Sequence, residues 1–221
     1  MLKHIDPISK KHQVVLMIKE AILSNSIEPG AQVVESRIAQ QLGTGIPLVR
    51  EALIELEYQG FVQKTPYKGT TVTKLGAVEI RQMFQLRAEL ESLAAAWAKE
   101  NATPQDTDEL RALTGRMERA AVEHDTEQFC ESDLAFHRKI WAMSGNPYLA
   151  EALERVVVPL FAFSVMKFKH EREAYIESAA MHTKIVEALP QMSAAEIREL
   201  VTGFIVCWKD EMLEPLLSER Q

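Results

Sequence analysis

Residues 33–60, VVESRIAQQLGTGIPLVREALIELEYQG, read as two short amphipathic helices joined by a tight turn. Ile38, Ala39 and Leu42 supply the apolar face of the first, and Leu48, Ala52, Leu53 and Leu56, flanked by Val49, that of the second, because residues three and four apart share one side of a helix. Gly43, Thr44 and Gly45 lie between them, with glycines that permit a bend of roughly 90–120°. Pro47 suits the first turn of the next helix, where its missing N–H is not needed. This is a helix-turn-helix pattern. Two β-prone runs, residues 61–64 and 70–73, then flank the turn-rich tip Pro66-Tyr67-Lys68-Gly69. Helix-turn-helix followed by hairpin makes a winged helix.

Such a unit lays its second helix in the major groove of DNA while cations and helix N-termini hold the phosphates. Arg50 lies one turn into that helix, Arg37 begins the helper helix, and Lys64 and Lys68 sit on the wing. Each alone is also what an ordinary solvated surface cation looks like. The ordered set of turn, helix and wing is what points to DNA. Charge agrees once it is divided. The chain carries −7 overall, but residues 1–75 hold nine Lys/Arg against seven Asp/Glu, leaving the acidic excess to the remainder. A near-neutral head on an acidic body fits a DNA-binding unit attached to one that does not touch DNA.

At 221 residues, with 47% hydrophobic and 26% charged residues, two packed domains fit the chain. The start, MLKHIDPISKKH, has no apolar signal region, and no apolar run reaches the ~18 residues of a membrane span, so a cytoplasmic location is expected. Cys130 and Cys207 fall in helix-patterned segments, where buried free thiols are expected. Residues 9–26 predict a helix preceded by Pro7, capped by Ser9 and apolar at Val14, Ile18, Ala21 and Ile22. The domain boundary falls at Lys74-Leu75-Gly76, giving domains 1–75 and 76–221.

Beyond it the pattern is helical throughout. One helix spans 77–101, with Ile80, Met83, Phe84, Leu86, Leu90, Leu93 and Trp97; a second opens at Thr103-Pro104 and a third at Asp125. A fourth runs from Tyr148 towards Lys169, with a kink expected near Pro159; a fifth covers 172–189; a sixth opens at the capping box Ser193/Glu196. The fold class expected is therefore mostly α: a winged helix-turn-helix with a small β-hairpin wing, then an all-α bundle of about six helices.

Within the bundle, Phe129, Asp133, His137 and Ile140 or Trp141 share one face, aiming an acid and an imidazole into the core one turn apart. His182 shares a face with Ile185 and Leu189. Asp and His four residues apart can offer two ligands to one metal. On spacing alone the favoured reading is a structural pair, with Asp133 orienting His137 and His182 a satisfied core histidine. Arg87, amid Phe84, Leu86 and Leu90 with Glu91 four residues on, can hold a ligand carboxylate in bidentate fashion, or form an ordinary surface pair with Glu91. Sequence leaves both pairs of readings open, and it offers no obvious inward Glu beside the Asp/His set.

IKEAILSNSIEPGAQVVESRIAQQLG, VREALIELEYQGFVQK and KGTTV resemble the winged helix of GntR-type transcriptional regulators. MFQLRAELESLAA, DLAFHRKIWAMSGNPYL and MHTKIVEAL resemble the helical effector domain, FCD, of their FadR-like branch. The resemblance covers nearly the whole chain. It implies a homodimer on double-stranded palindromic operator DNA that answers a small organic acid. DNA contacts are implied at Arg37, Thr44, Gly45, Ile46, Arg50, Lys68 and Gly69, and effector contacts at Arg87 and Phe204.

The resemblance further implies a divalent metal ion, zinc or similar, held by Asp133, His137 and His182. Two departures stand out. The position of a third metal-binding histidine holds Phe204, and no histidine follows His182. Where the family has S-R-T-P before its V-R-E-A, this chain has Gly45-Ile46-Pro47-Leu48, so an arginine and hydroxyls are missing at the reading tip and Ile46 is placed to meet a thymine methyl. The leading expectation is a ligand-responsive regulator, a repressor and not an enzyme. The competing readings are a metal-dependent enzyme in the bundle and a module whose bundle only dimerises.

Overall fold

The computed structural model describes residues 9–168 and 172–210, in two compact units, Met1–Lys74 and Leu75–Gln221. Pro7 and Lys169 lie outside the described residues.

In the first unit the order is α1 (Lys10–Leu23), β1 (Gln32–Val33), α2 (Glu35–Gln41), α3 (Ile46–Tyr58), β2 (Val62–Thr65) and β3 (Gly69–Val72). Ser9 caps α1, its hydroxyl accepting the His12 N–H at 3.1 Å, and the helix ends at Leu23, short of the expected residue 26. Val14, Val15, Ile18 and Ile22 are buried, while Ala21 is half-buried. Together with Val49, Ala52, Leu53 and Leu56 of α3 they build the core of this unit. Val49 is fully buried and Leu48 only half-buried, so the inward stripe of α3 is turned by one residue from the expected one. Of the two turn glycines only Gly43, at φ 61°, takes the left-handed conformation; Gly45 is extended and caps α3.

The wing is a hairpin in which β2 pairs with β3 from Val62↔Val72 to Thr65↔Gly69. Tyr67 and Gly69 turn its tip with positive φ. The sequence pattern missed β1, whose two residues add a third antiparallel strand on the far edge of β3. A strand that short carries no alternation to read.

Among its described residues the second unit has six helices: α4 (Ala77–Asn101), α5 (Pro104–Glu123), α6 (Thr126–Met143), α7 (Pro147–Phe168), α8 (Arg172–Ala188) and α9 (Ala194–Trp208). Their starts follow local chemistry. Thr103 and Asp106 form a reciprocal capping box, the Asp125 carboxylate accepts the Gln128 N–H, and Ser193 and Glu196 repeat the box at α9. Asn146 accepts the Tyr148 and Leu149 N–H groups, opening α7. Helix α4 packs on α6, α7 and α9, and α5 on α6 and α8. Ile80, Phe84, Leu110, Met117, Phe129 and Phe136 sit in the main core, while Leu86 faces solvent although the pattern placed it on the inner stripe. Cys130 is half-buried and Cys207 exposed, with no disulfide between them, so the expectation of buried thiols is not met.

Candidate functional site

On the first unit the candidate reading residues are displayed rather than buried. Arg37, Gly45, Ile46, Arg50, Lys68 and Gly69 are exposed and Thr44 is half-buried. Ile46 opens α3 with 41% of its surface free. The Arg50 guanidinium is held by Glu35 at the start of α2, with Nη2 2.8 Å and Nε 3.2 Å from the carboxylate. The Arg50 hydrogen bond, with the charge behind it, holds the Glu35 carboxyl below its usual range against the opposing effect of burial. Glu35 thus fixes where Arg50 points. At the wing, the Gln32 side-chain amide of β1 donates to the Lys68 carbonyl at 3.2 Å, pinning the tip that carries Lys68 and Gly69.

The second unit carries a partly open cavity of about 100 Å³. Phe84, Phe129, Phe161, Val165, Phe204 and Trp208 give it apolar walls, and Arg87, Asp133, His137 and His182 line it with them. Arg87 and Glu91 are not a surface pair: Glu91 is 2% exposed and its Oε2 accepts the Arg87 Nε at 2.7 Å. Its Oε1 lies 2.6 Å from His137 Nδ1 and accepts the Trp141 indole N–H at 3.0 Å. Burial pushes the Glu91 carboxyl up, but the charges and hydrogen bonds of Arg87 and His137 outweigh it and hold the group far below the usual range. An inward Glu therefore does stand beside the Asp/His set, contrary to the sequence reading. Its signals were the Arg four residues before it and the indole of Trp141, which needs an acceptor when buried.

Asp133, His137 and His182 converge, their ligand atoms all within 4.8 Å of one another. His182 Nδ1 is 2.6 Å from the Ser178 carbonyl oxygen, and His137 Nδ1 faces the Glu91 carboxylate. Both partners only accept, so both Nδ1 atoms carry the proton and both Nε2 atoms face inward. Those Nε2 atoms are 3.0 Å apart, and Asp133 Oδ1 lies 3.1 Å from His182 Nε2 and 3.7 Å from His137 Nε2. Two imidazole lone pairs at that separation repel unless a proton or a metal ion lies between them. Asp133 Oδ1 is buried with no well-aligned hydrogen bond.

A tetrahedral zinc ion with bonds of ~2.0–2.1 Å separates its ligand atoms by about 3.3 Å, close to the mean of the three observed distances. The donor set therefore fits a divalent cation, with the Glu91–His137 contact as the outer support such ligands use. Without one, burial opposes charge on both partners, but their mutual attraction wins: the His182 imidazole is raised and the Asp133 carboxyl lowered from their ordinary values. Phe204, at the expected third histidine, lines the same cavity. Tyr175 also lines it, with a buried hydroxyl that makes no well-formed hydrogen bond; nothing in the helical pattern singled it out.

A winged helix with displayed cations thus stands in one chain with a helical bundle that carries a polar-edged cavity. Residues 10–72 match the family described as bacterial regulatory proteins, gntR family, and residues 82–206 match the FCD domain. The chain belongs to the GntR family, in its FCD-bearing, FadR-like branch, and is a DNA-binding transcriptional regulator.

It is 33% identical over 157 residues to the HTH-type transcriptional regulator McbR of Escherichia coli K12, covering 71% of this chain and 70% of that one. To the Nta operon transcriptional regulator of Aminobacter aminovorans it is 26% identical over 194 residues, 83% of this chain and 92% of that one. The solved structure of E. coli McbR/YncC superposes with a TM-score of 0.68 at 26% identity, covering 97% of this chain and 99% of that one. A GntR regulator from Rhodococcus sp. RHA1 shares the fold at TM-score 0.66 and 16% identity, over 92% and 97% of the two chains. These relatives are transcription regulators, not enzymes; GntR regulators bind DNA, and FCD domains bind small-molecule effectors and often a metal. Among the described residues no helix is long and apolar enough to cross a membrane.

Proposed function

We propose that the protein is a cytoplasmic repressor that binds a palindromic operator as a homodimer through residues 1–75 and releases it when a small organic acid enters the cavity of residues 76–221. The observation that carries this is Arg87. Its Nε is spent on Glu91, its guanidinium carbon lies 5.4 Å and 5.2 Å from the Phe84 and Phe161 ring centroids, and among the described residues its Nη groups, at the cavity wall, take no hydrogen-bond partner. A guanidinium so held is ready to receive a carboxylate in bidentate fashion. Asp133, His137 and His182 would hold a divalent cation beside it, and such an ion would supply positive charge to the ligand carboxylate.

On DNA, Arg37, Arg50 and Lys68 contact phosphates or bases and Thr44, Gly45, Ile46 and Gly69 approach the backbone or a thymine methyl. Effector binding changes the spacing of the paired winged helices, so that half-sites about one helical turn apart no longer fit both. The enzyme reading loses support from the same geometry: Glu91, the carboxylate beside His137, already accepts from Arg87, His137 and Trp141 and is poorly placed as a general base. DNase footprinting upstream of the protein's own gene tests the proposal. A protected region with two symmetric halves, erased by a carboxylate in the presence of zinc, supports it; a footprint insensitive to every acid and to chelator supports the dimerisation module instead.

A further inference from the structure

The cavity carries information about which acid it takes. Arg87 is the only Lys or Arg among the described residues that line it, and Phe84, Phe129, Phe161, Phe204 and Trp208 cover much of the rest. At ~10–15 Å³ per water-sized unit, a cavity of about 100 Å³ holds about seven to ten non-hydrogen atoms. A single carboxylate is satisfied by the Arg87 Nη groups beside the Asp/His/His cluster. A second carboxylate, or a row of hydroxyls, would be taken from water and set mostly against aromatic rings, with Ser164 and Ser178 among the few further polar residues on the wall, which is unfavourable.

We propose that the cavity selects compact monocarboxylates with an apolar or aromatic body, such as a six-carbon fatty acid or a benzoate, over dicarboxylates and polyhydroxy acids of equal size. This rests on reading the cavity as the effector site. Apolar walls reward each added methylene, whereas the carboxylate is required at the Arg87 end; affinity therefore rises with chain length until the space is filled and collapses when the charge is removed.

The test is calorimetric titration of the full chain, zinc present, with propionate, butyrate, hexanoate, benzoate, benzamide, glutarate and threonate. Affinity is expected to rise about fourfold per methylene from propionate to hexanoate. Benzamide is expected to bind at least ~10-fold more weakly than benzoate, and glutarate and threonate at least ~10-fold more weakly than hexanoate. Arg87→Gln should shrink the benzoate/benzamide difference, leaving only what the zinc ion contributes; if that variant does not fold, the wild-type comparison of those two probes stands on its own. Glutarate or threonate binding more tightly than hexanoate overturns the monocarboxylate selection and leaves the cavity an acid site. No binding by any carboxylate, or equal binding of benzoate and benzamide, overturns the selection together with the effector reading.

Discussion

Glu91→Gln removes one charge from the buried junction of the bundle and almost no volume. Glu91 now accepts from Arg87, His137 and Trp141 with two oxygens. A glutamine keeps one oxygen and turns an NH₂ towards a donor, either the Arg87 Nε–H or the His137 and Trp141 pair. One buried contact therefore becomes donor against donor, and the Arg87 cation, its side chain 13% exposed, loses its anion. Breaking one partner of a buried ion pair costs about 3–5 kcal/mol. The rings of Phe84 and Phe161 still face the guanidinium, which places the loss near the lower end, about 3 kcal/mol. For a unit of this size each kcal/mol moves Tm by about 2–4 °C, so a fall of about 6–12 °C is expected.

The pH dependence has a definite sign. The Glu91 carboxyl is depressed on folding, so its contribution is fully present above the unfolded value of ~4.3 and is lost as pH falls towards the folded one. Below pH ~4.3 the gap between wild type and variant narrows by up to about 1.4 kcal/mol per pH unit. Circular dichroism melts of both proteins in chelator, from pH 7 down to 3, measure this. A Tm change under ~2 °C at neutral pH, or a gap that stays constant into acid, refutes the reasoning.

Other perturbations follow from the same contacts. Asp133→Ala or His182→Ala should each weaken zinc binding at least ~100-fold, more than is typical for loss of an outer partner, with helix content unchanged; chelator competition measures it, and unaltered affinity removes the metal site. Phe204→His restores a donor at the cavity wall and should tighten zinc at least ~10-fold in the same assay. Lys68→Ala should lower the slope of log affinity against log salt by about one without altering sequence preference. Gly145→Ala adds a Cβ at φ 71° that would meet Asn101 Nδ2 at 3.2 Å. Because that amide donates to the Met143 and Ser144 carbonyls, a loss of about 1–2 kcal/mol in thermal or urea unfolding is expected.

What could be read in advance follows physical range. Caps such as Thr103, Asp125 and Ser193 and the turn at Gly43 are decided within a few residues, so helix starts and the helix-turn-helix were legible. The four-residue spacing of Asp133 and His137 fixed their shared face. Whether His182 would meet them depends on how α8 packs, which no local pattern encodes. Glu91 was misread for the same reason: its Arg87 neighbour is visible in sequence, but Trp141 and His137 reach it from α6, and only their convergence makes burying a carboxylate affordable. The Arg50–Glu35 clamp joins α2 to α3 and was likewise invisible. The strand β1 escaped because two residues cannot show a period.

The most direct test of the account is fluorescence anisotropy of the purified protein on DNA from immediately upstream of its gene, against unrelated DNA, across a salt titration, with Arg50→Ala alongside. The account predicts tighter binding to the upstream fragment, falling steeply with salt, and loss of that preference in the variant while its melting curve stays intact. Equal affinity for both DNAs, or an Arg50→Ala protein that still discriminates, would contradict the assignment of α3 as the reading helix.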